Sequence, residues 1–104
     1  MINGKRIAVV MPAYNAEKTL EKTVRELSDV VDIKILVDDS SKDQTALLSR
    51  QLGVQTFVHD ANYGYGRNQQ TCYREALAAG ADTARPSGVP GSGHSGSPRA
   101  LRRR

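Results

Sequence analysis

The sequence has a single cysteine, Cys72, so no disulfide can form within the chain and no cysteine-based zinc cluster can assemble. It has no run of about eighteen apolar residues, which excludes a membrane-spanning helix. The short basic start, Met1 to Ile7, is not followed by the apolar core and small-residue cleavage site of a secretory signal. These absences fit a reducing, cytoplasmic setting. Acid is missing from one whole stretch: no Asp or Glu follows Asp82. Residues 1–82 carry ten Lys/Arg against eleven Asp/Glu, a balance of −1, whereas residues 83–104 carry five Arg and no acid, a balance of +5. The formal net charge of +4 therefore belongs to the tail, and no specific nucleic-acid surface is expected.

Texture changes at the same place. Residues 83–104 read TARPSGVPGSGHSGSPRALRRR, where only Val89 and Leu101 could anchor a core and three prolines interrupt regular structure. This segment is expected to be a disordered tail, unable to bury enough apolar surface to offset its ordering entropy. Residues 1–82 instead alternate apolar runs with helical patterns. Arg6 to Met11, closed by Pro12, reads as a buried strand. Leu20, Val24 and Leu27 form one stripe of a helix over 16–28, with Asn15 placed as its cap. Ile33 to Val37 is a second strand, 43–52 a second helix stopped by Gly53, Val54 to Val58 a third strand, and 68–79 a third helix stopped by Gly80. The order βαβαβα implies an α/β fold with right-handed crossovers and a Rossmann-like parallel sheet. A fourth strand is expected after Asp82, and Thr83-Ala84-Arg85-Pro86 does not read as one, so the sheet is expected to be incomplete.

In such a sheet ligands bind beyond the carboxyl ends of the strands, where the βα loops gather. The three loops of that edge are polar and distinctive. Pro12-Ala13-Tyr14-Asn15 offers an aromatic platform for a nucleobase or ribose. Asp38 and Asp39 leave a strand end, where a carboxylate can accept hydrogen bonds from a base N–H or a ribose hydroxyl. In His59 to Asn68, Gly64 and Gly66 permit close backbone approach, Arg67 can pair with a diphosphate, and a helix amino end adds partial positive charge. Acid toward base and ribose, with cation toward phosphates, suits a nucleoside diphosphate.

These same residues carry a family resemblance. Val9-Val-Met-Pro-Ala-Tyr-Asn-Ala-Glu-Lys-Thr-Leu20 resembles the opening of family 2 glycosyltransferases, which have the GT-A fold. Leu36-Val-Asp-Asp-Ser-Ser-Lys-Asp-Gln-Thr45 is similar to their V-D-D-x-S-x-D-x-T motif, and Asn62-Tyr-Gly-Tyr-Gly-Arg-Asn68 to their N-x-G-x-G loop. The resemblance covers residues 5–82, and polyprenyl-phosphate sugar transferases look most similar. It implies transfer of a sugar, with inversion, from a UDP- or GDP-sugar to an acceptor such as a polyprenyl phosphate or glycan. It places Pro12, Ala13, Tyr14 and Glu17 in the nucleotide pocket, Asp39 on the base with Asp38 in support, and Arg67 toward the pyrophosphate; Asn15 and Gly66 are expected among the nucleotide-binding residues as well. It also implies Mg²⁺ or Mn²⁺ bound by a D-x-D pair after a fourth strand, and a later Asp or Glu as general base. With no acid after Asp82, both are absent from this sequence, so residues 1–82 are expected to be the nucleotide-sugar-binding part of a truncated enzyme, inactive alone. A frameshift or a premature end is the expected origin of the tail.

Two other readings compete. One is a nucleotide-binding, non-catalytic fragment. The other is a phosphorelay receiver domain, in which Ile35-Leu-Val-Asp-Asp-Ser40 supplies the acidic pair and Asp82 the phosphoacceptor. Cys72 reads as a small buried residue, His59 as a local hydrogen-bonding group, and the charges of 17–26 as a solvated helix face.

Overall fold

The computed structural model describes residues 4–27, 31–86 and 99–100. Eight elements follow in chain order: β1 (Ile7–Ala13), α1 (Glu17–Arg25), β2 (Ile33–Asp38), α2 (Thr45–Gln51), β3 (Gln55–Val58), α3 (Tyr65–Ala78), β4 (Thr83–Pro86) and β5 (Arg99–Ala100). They build one sheet of order β3-β2-β1-β4-β5, parallel throughout except for the antiparallel β4–β5 pair. The chain winds outward from β1 through β2 to β3, and α3 then carries it back across to β4. The winding direction reverses between β1 and β4, and at such a switch point an open crevice forms at the carboxyl edge.

Alternation along the strands sorts the core onto two faces. Ala8 and Val10 of β1 join Ile33, Ile35 and Val37 of β2 beneath Cys72 and Ala76 of α3, with Ala81 and Ala84 completing the layer. Val9, Met11 and Ala13 face the other way, with Leu36 of β2 and Val54, against Ala16, Leu20 and Val24 at α1. Both faces of β1 and β2 are covered, which is why these strands read as continuous apolar runs. The outer face of α1 is solvated as the sequence implies: Lys18, Glu21, Lys22, Arg25 and Glu26 are exposed, and Arg25 pairs with Glu21 one turn earlier at 2.7 Å. Among the described residues no helix is long and apolar enough to cross a membrane.

The structure departs from the sequence reading at five places. Thr83–Pro86, expected to begin the tail, is strand β4, paired with β1 from Ile7↔Thr83 to Val10↔Pro86. Its inward residue is Ala84, fully buried under α3; alanine fits the tight space but gives no strand signal. Arg99–Ala100, also in the expected tail, pairs with Ala84 and Thr83; residues 87–98 and 101–104 lie outside the described residues. β1 runs past Met11 to Ala13, with Pro12 in register with Val37. Pro12 has no N–H to give, and it sits where the β1–β4 pairing has already ended at Val10. α3 begins three residues earlier than expected, at Tyr65. Asn15 is not the cap of α1: it adopts a left-handed φ of +51°, and the helix starts after Ala16 with no side-chain cap from that residue.

Candidate functional site

The parallel strands end in step. Ala13 is in register with Asp38 and Asp38 with Val58. The backbone carries the alignment one residue further, with Asp39 N–H donating to Ala13 O and His59 N–H to Asp38 O, each at 2.9 Å. The loops after β1, β2 and β3 therefore leave the sheet side by side. Tyr14 and Asp39 emerge from neighbouring strands at one edge, with Tyr14 half-buried and Asp39 only 3% exposed.

Side chains of the β2–α2 loop stitch the first two loops together. Ser41 Oγ accepts the Asn15 N–H at 2.8 Å and donates to Asp38. Asn15 Oδ1 accepts the Lys42 N–H at 2.9 Å. The two helix starts cap one another: Asp43 Oδ2 accepts the Glu17 N–H at 3.2 Å, and Glu17 Oε2 accepts the Gln44 N–H at 3.1 Å. Thr45 Oγ1, fully buried, accepts the Ala16 N–H at 2.9 Å and donates to Asp43. Orphan N–H groups at a helix amino end need such acceptors, and here they come from a different segment of chain. Burial alone would raise the Asp43 carboxyl, but donors from Thr45 and Glu17 outweigh it and hold the group below its usual value. Ser41, Asp43 and Thr45, the later members of the V-D-D-x-S-x-D-x-T string, thus account for themselves as a brace between loops.

Asp39 does the same for the third loop. Its Oδ1 accepts the Tyr63 N–H at 2.9 Å and lies 2.8 Å from His59 Nδ1, while Oδ2 accepts the Gly64 N–H at 2.9 Å. Burial acts to raise this carboxyl, and the N–H groups of Tyr63, His59 and Gly64 more than offset it, so it is held below the usual carboxylate range. Gly64 turns into α3 with φ +92°, a conformation that strains any residue with a Cβ. This capping from 25 residues upstream explains the early helix start.

Beyond the turn, Arg67 stacks its guanidinium 5.0 Å from the Tyr63 ring centre, and the Tyr63 hydroxyl donates to Asp60 at 2.6 Å. Asn68, 2% exposed, reaches back to the sheet, its amide donating to Val37 O at 3.0 Å and to Ala13 O at 3.4 Å. Cys72 contacts Asn68 Oδ1 at 3.7 Å, and burial pushes its thiol up to about 12, which leaves no thiolate for chemistry.

Of the residues singled out from sequence, the structure brings Tyr14, Asn15, Glu17, Asp38, Asp39, Gly66 and Arg67 to this edge. Pro12 and Ala13 are fully buried in β1 and support it from below. Gly66 and Arg67 lie inside the first turn of α3, not before it. His59 and Asn68 are the residues that sequence reasoning underweighted, since their partners come from other segments. Asp82 is at the far edge: its carboxylate accepts the Arg6 N–H at 2.8 Å beside the start of β1. A receiver domain needs that residue next to Asp38 and Asp39, so the placement overturns the receiver reading. Among the described residues no group of three or more His, Cys, Asp or Glu could hold a metal ion.

The family model described as glycosyl transferase family 2 matches residues 8–78. UDP-N-acetylglucosamine–dolichyl-phosphate N-acetylglucosaminyltransferase of Methanococcus voltae is 32% identical over 98 residues, covering 77% of this chain and 39% of that protein. The 4,4'-diaponeurosporenoate glycosyltransferase of Staphylococcus haemolyticus is 35% identical over 75 residues, covering 69% of this chain and 19% of that protein. Among solved structures, glucosyl-3-phosphoglycerate synthase from Mycobacterium tuberculosis, in complex with Mn²⁺, UDP-glucose and glycerol 3-phosphate, is similar with a TM-score of 0.65 and 27% identity. That likeness covers 81% of this chain and 34% of the other. The chain thus spans well under half the length of the relatives it matches.

Proposed function

This chain belongs to glycosyl transferase family 2, and we propose that its carboxyl-edge loops form the donor-nucleotide site of an inverting sugar transferase. The observation that carries the reading is the cross-bracing of three loops at the switch point of a parallel sheet. Tyr14 offers a face to the base. Asp39 accepts three hydrogen bonds, and a carboxylate has about four acceptor positions, so one on Oδ2 is left for a base N–H. Arg67, held on Tyr63, supplies positive charge toward a diphosphate.

Gly66 adds support of a different kind. Its backbone has no left-handed φ, and a Cβ there would meet open space within the chain. Glycine inside a helix costs roughly 1 kcal/mol relative to alanine, so nothing internal favours it. Close approach of a ligand would.

UDP or GDP is the nucleotide class this site fits, and a polyprenyl phosphate or glycan the acceptor class. The relatives named above include one that acts from a UDP-sugar and one bound to UDP-glucose. A divalent cation finds no ligand set among the described residues, so no step is assigned to one. In the family chemistry such a cation stabilises the departing diphosphate. What these residues supply is binding and orientation of the nucleotide, and the 104-residue chain is expected to bind donor without turnover. Titration calorimetry with UDP and GDP tests this. Binding of one of them, weakened by roughly 1–3 kcal/mol in D39N, supports the site; equal affinity in D39N removes Asp39 from it. Multiple-turnover sugar transfer by this chain alone would contradict the division of labour.

A further inference from the structure

We infer that His59 is a positioning residue of the donor site, setting the orientation of the Asp39 carboxylate and, through Tyr63, of Arg67; this rests on the donor-site reading above. His59 follows β3 and its side chain is 13% exposed. One ring nitrogen, Nδ1, lies 2.8 Å from Asp39 Oδ1, and the other, Nε2, lies 2.9 Å from Thr71 Oγ1 on α3. The Tyr63 ring meets the imidazole edge-on, with centroids 5.3 Å apart at 81°.

Proton counting fixes the direction of the first bond. Asp39 is held ionised and already accepts two backbone N–H groups, so it has no proton to give and Nδ1 must be the donor. His59 therefore fills the second acceptor position of Oδ1, beside the Tyr63 N–H. With Oδ1 saturated, the position left over falls on Oδ2, the oxygen otherwise bonded only to Gly64. Removing the imidazole opens a position on Oδ1 as well, and the carboxylate loses the bond that resists its rotation.

The same ring is a mechanical link. It joins the β2–α2 loop through Asp39, the second turn of α3 through Thr71, and Tyr63 through the ring contact. Tyr63 in turn carries Arg67 on its face and Asp60 on its hydroxyl. A histidine that merely filled space would be replaceable by any residue of similar volume. One that positions Asp39 needs a short-reach donor at the Nδ1 location.

That difference gives the test, made on the full chain as H59N, H59Q and H59A. Asparagine places an amide N–H near the Nδ1 position, while glutamine reaches toward Thr71 in place of Nε2. Two readouts apply: hydrogen exchange at the Tyr63 and Gly64 amides, and calorimetric affinity for UDP and GDP. H59A and H59Q should accelerate exchange at both amides and weaken the bound nucleotide by about tenfold or more, as for one lost hydrogen bond to a charged group. H59N should recover most of both, with β1 and β2 amides protected as in the wild type throughout. Equal behaviour of H59N and H59Q overturns the positioning role, as does an H59A chain with unchanged exchange and affinity. A wild-type chain that binds neither nucleotide, yet loses loop protection in H59Q, overturns the donor reading and this role with it, leaving only a structural clasp.

Discussion

The two edges of the sheet use the same residue type in opposite ways. At the amino edge, Asp32 accepts the Ile7 N–H at 2.8 Å and Asp82 accepts the Arg6 N–H at 2.8 Å, each tying down the adjacent start of β1. At the carboxyl edge, Asp38 and Asp39 are each 3% exposed, and Asp39 gathers three donors from a loop twenty to twenty-five residues away in sequence. Asp32 is exposed and Asp82 half-buried, while buried carboxylates with converging donors fix the relative position of several segments. The comparison teaches where hydrogen bonds between segments are concentrated: the loops of the carboxyl edge, which the proposed donor site would need preorganised.

The largest break in that comparison should come from D39A. Removing a buried carboxylate from His59 and two backbone N–H groups is expected to cost about 3–5 kcal/mol, read as a fall in the denaturation midpoint. D32N and D82N should each move the midpoint far less. Equal losses at the two edges would dissolve the contrast.

Asn68→Ala comes next. It removes the amide that ties α3 to the carbonyls of Val37 and Ala13, with an expected loss of about 1–3 kcal/mol measured by the same denaturation. A third experiment sharpens the comparison by pH. Asp39 and Asp43 at the carboxyl edge are held below their ordinary values when folded, as is Asp32 at the amino edge through the Ile7 N–H. Their contribution is therefore present above the unfolded carboxyl value of about 3.9 and is lost as pH falls below it. Wild-type stability should drop on acidification below about pH 4, and the drop should be shallower in D39N and in D43N than in the wild type. The smallest effect runs the other way: G66A should stabilise the fold by about 0.5–1 kcal/mol while lowering UDP or GDP affinity. A variant that gains both would show that no ligand approaches Gly66.

The strands β1 to β3 and the three helices were legible because each carries its own period of apolar residues, and the polar loops stood out at one edge. Most of what the sequence did not show shares a cause. α3 starts at Tyr65 because Asp39, distant in sequence, captures the two N–H groups before it; local composition around Gly64 and Gly66 shows only a turn. Asn15 looks like a cap by position, but the acceptors for the start of α1 are Asp43 and Thr45. β4 is recognised by Ala84 fitting under α3, a fit that alanine and a terminal proline do not announce. His59 and Asn68 matter through partners that only the fold brings near. What was hidden in each case is a hydrogen bond or contact between segments, not a local propensity.

The central claim, that nucleotide recognition is confined to the braced edge, is tested most directly by following backbone amide resonances of the labelled chain during titration with UDP and with GDP. The account predicts saturable shifts concentrated in residues 14–17, 38–45 and 59–68, with those around Arg6, Asp32 and Asp82 unmoved. Shifts centred on the amino edge, or none with either nucleotide in a folded chain, would contradict it.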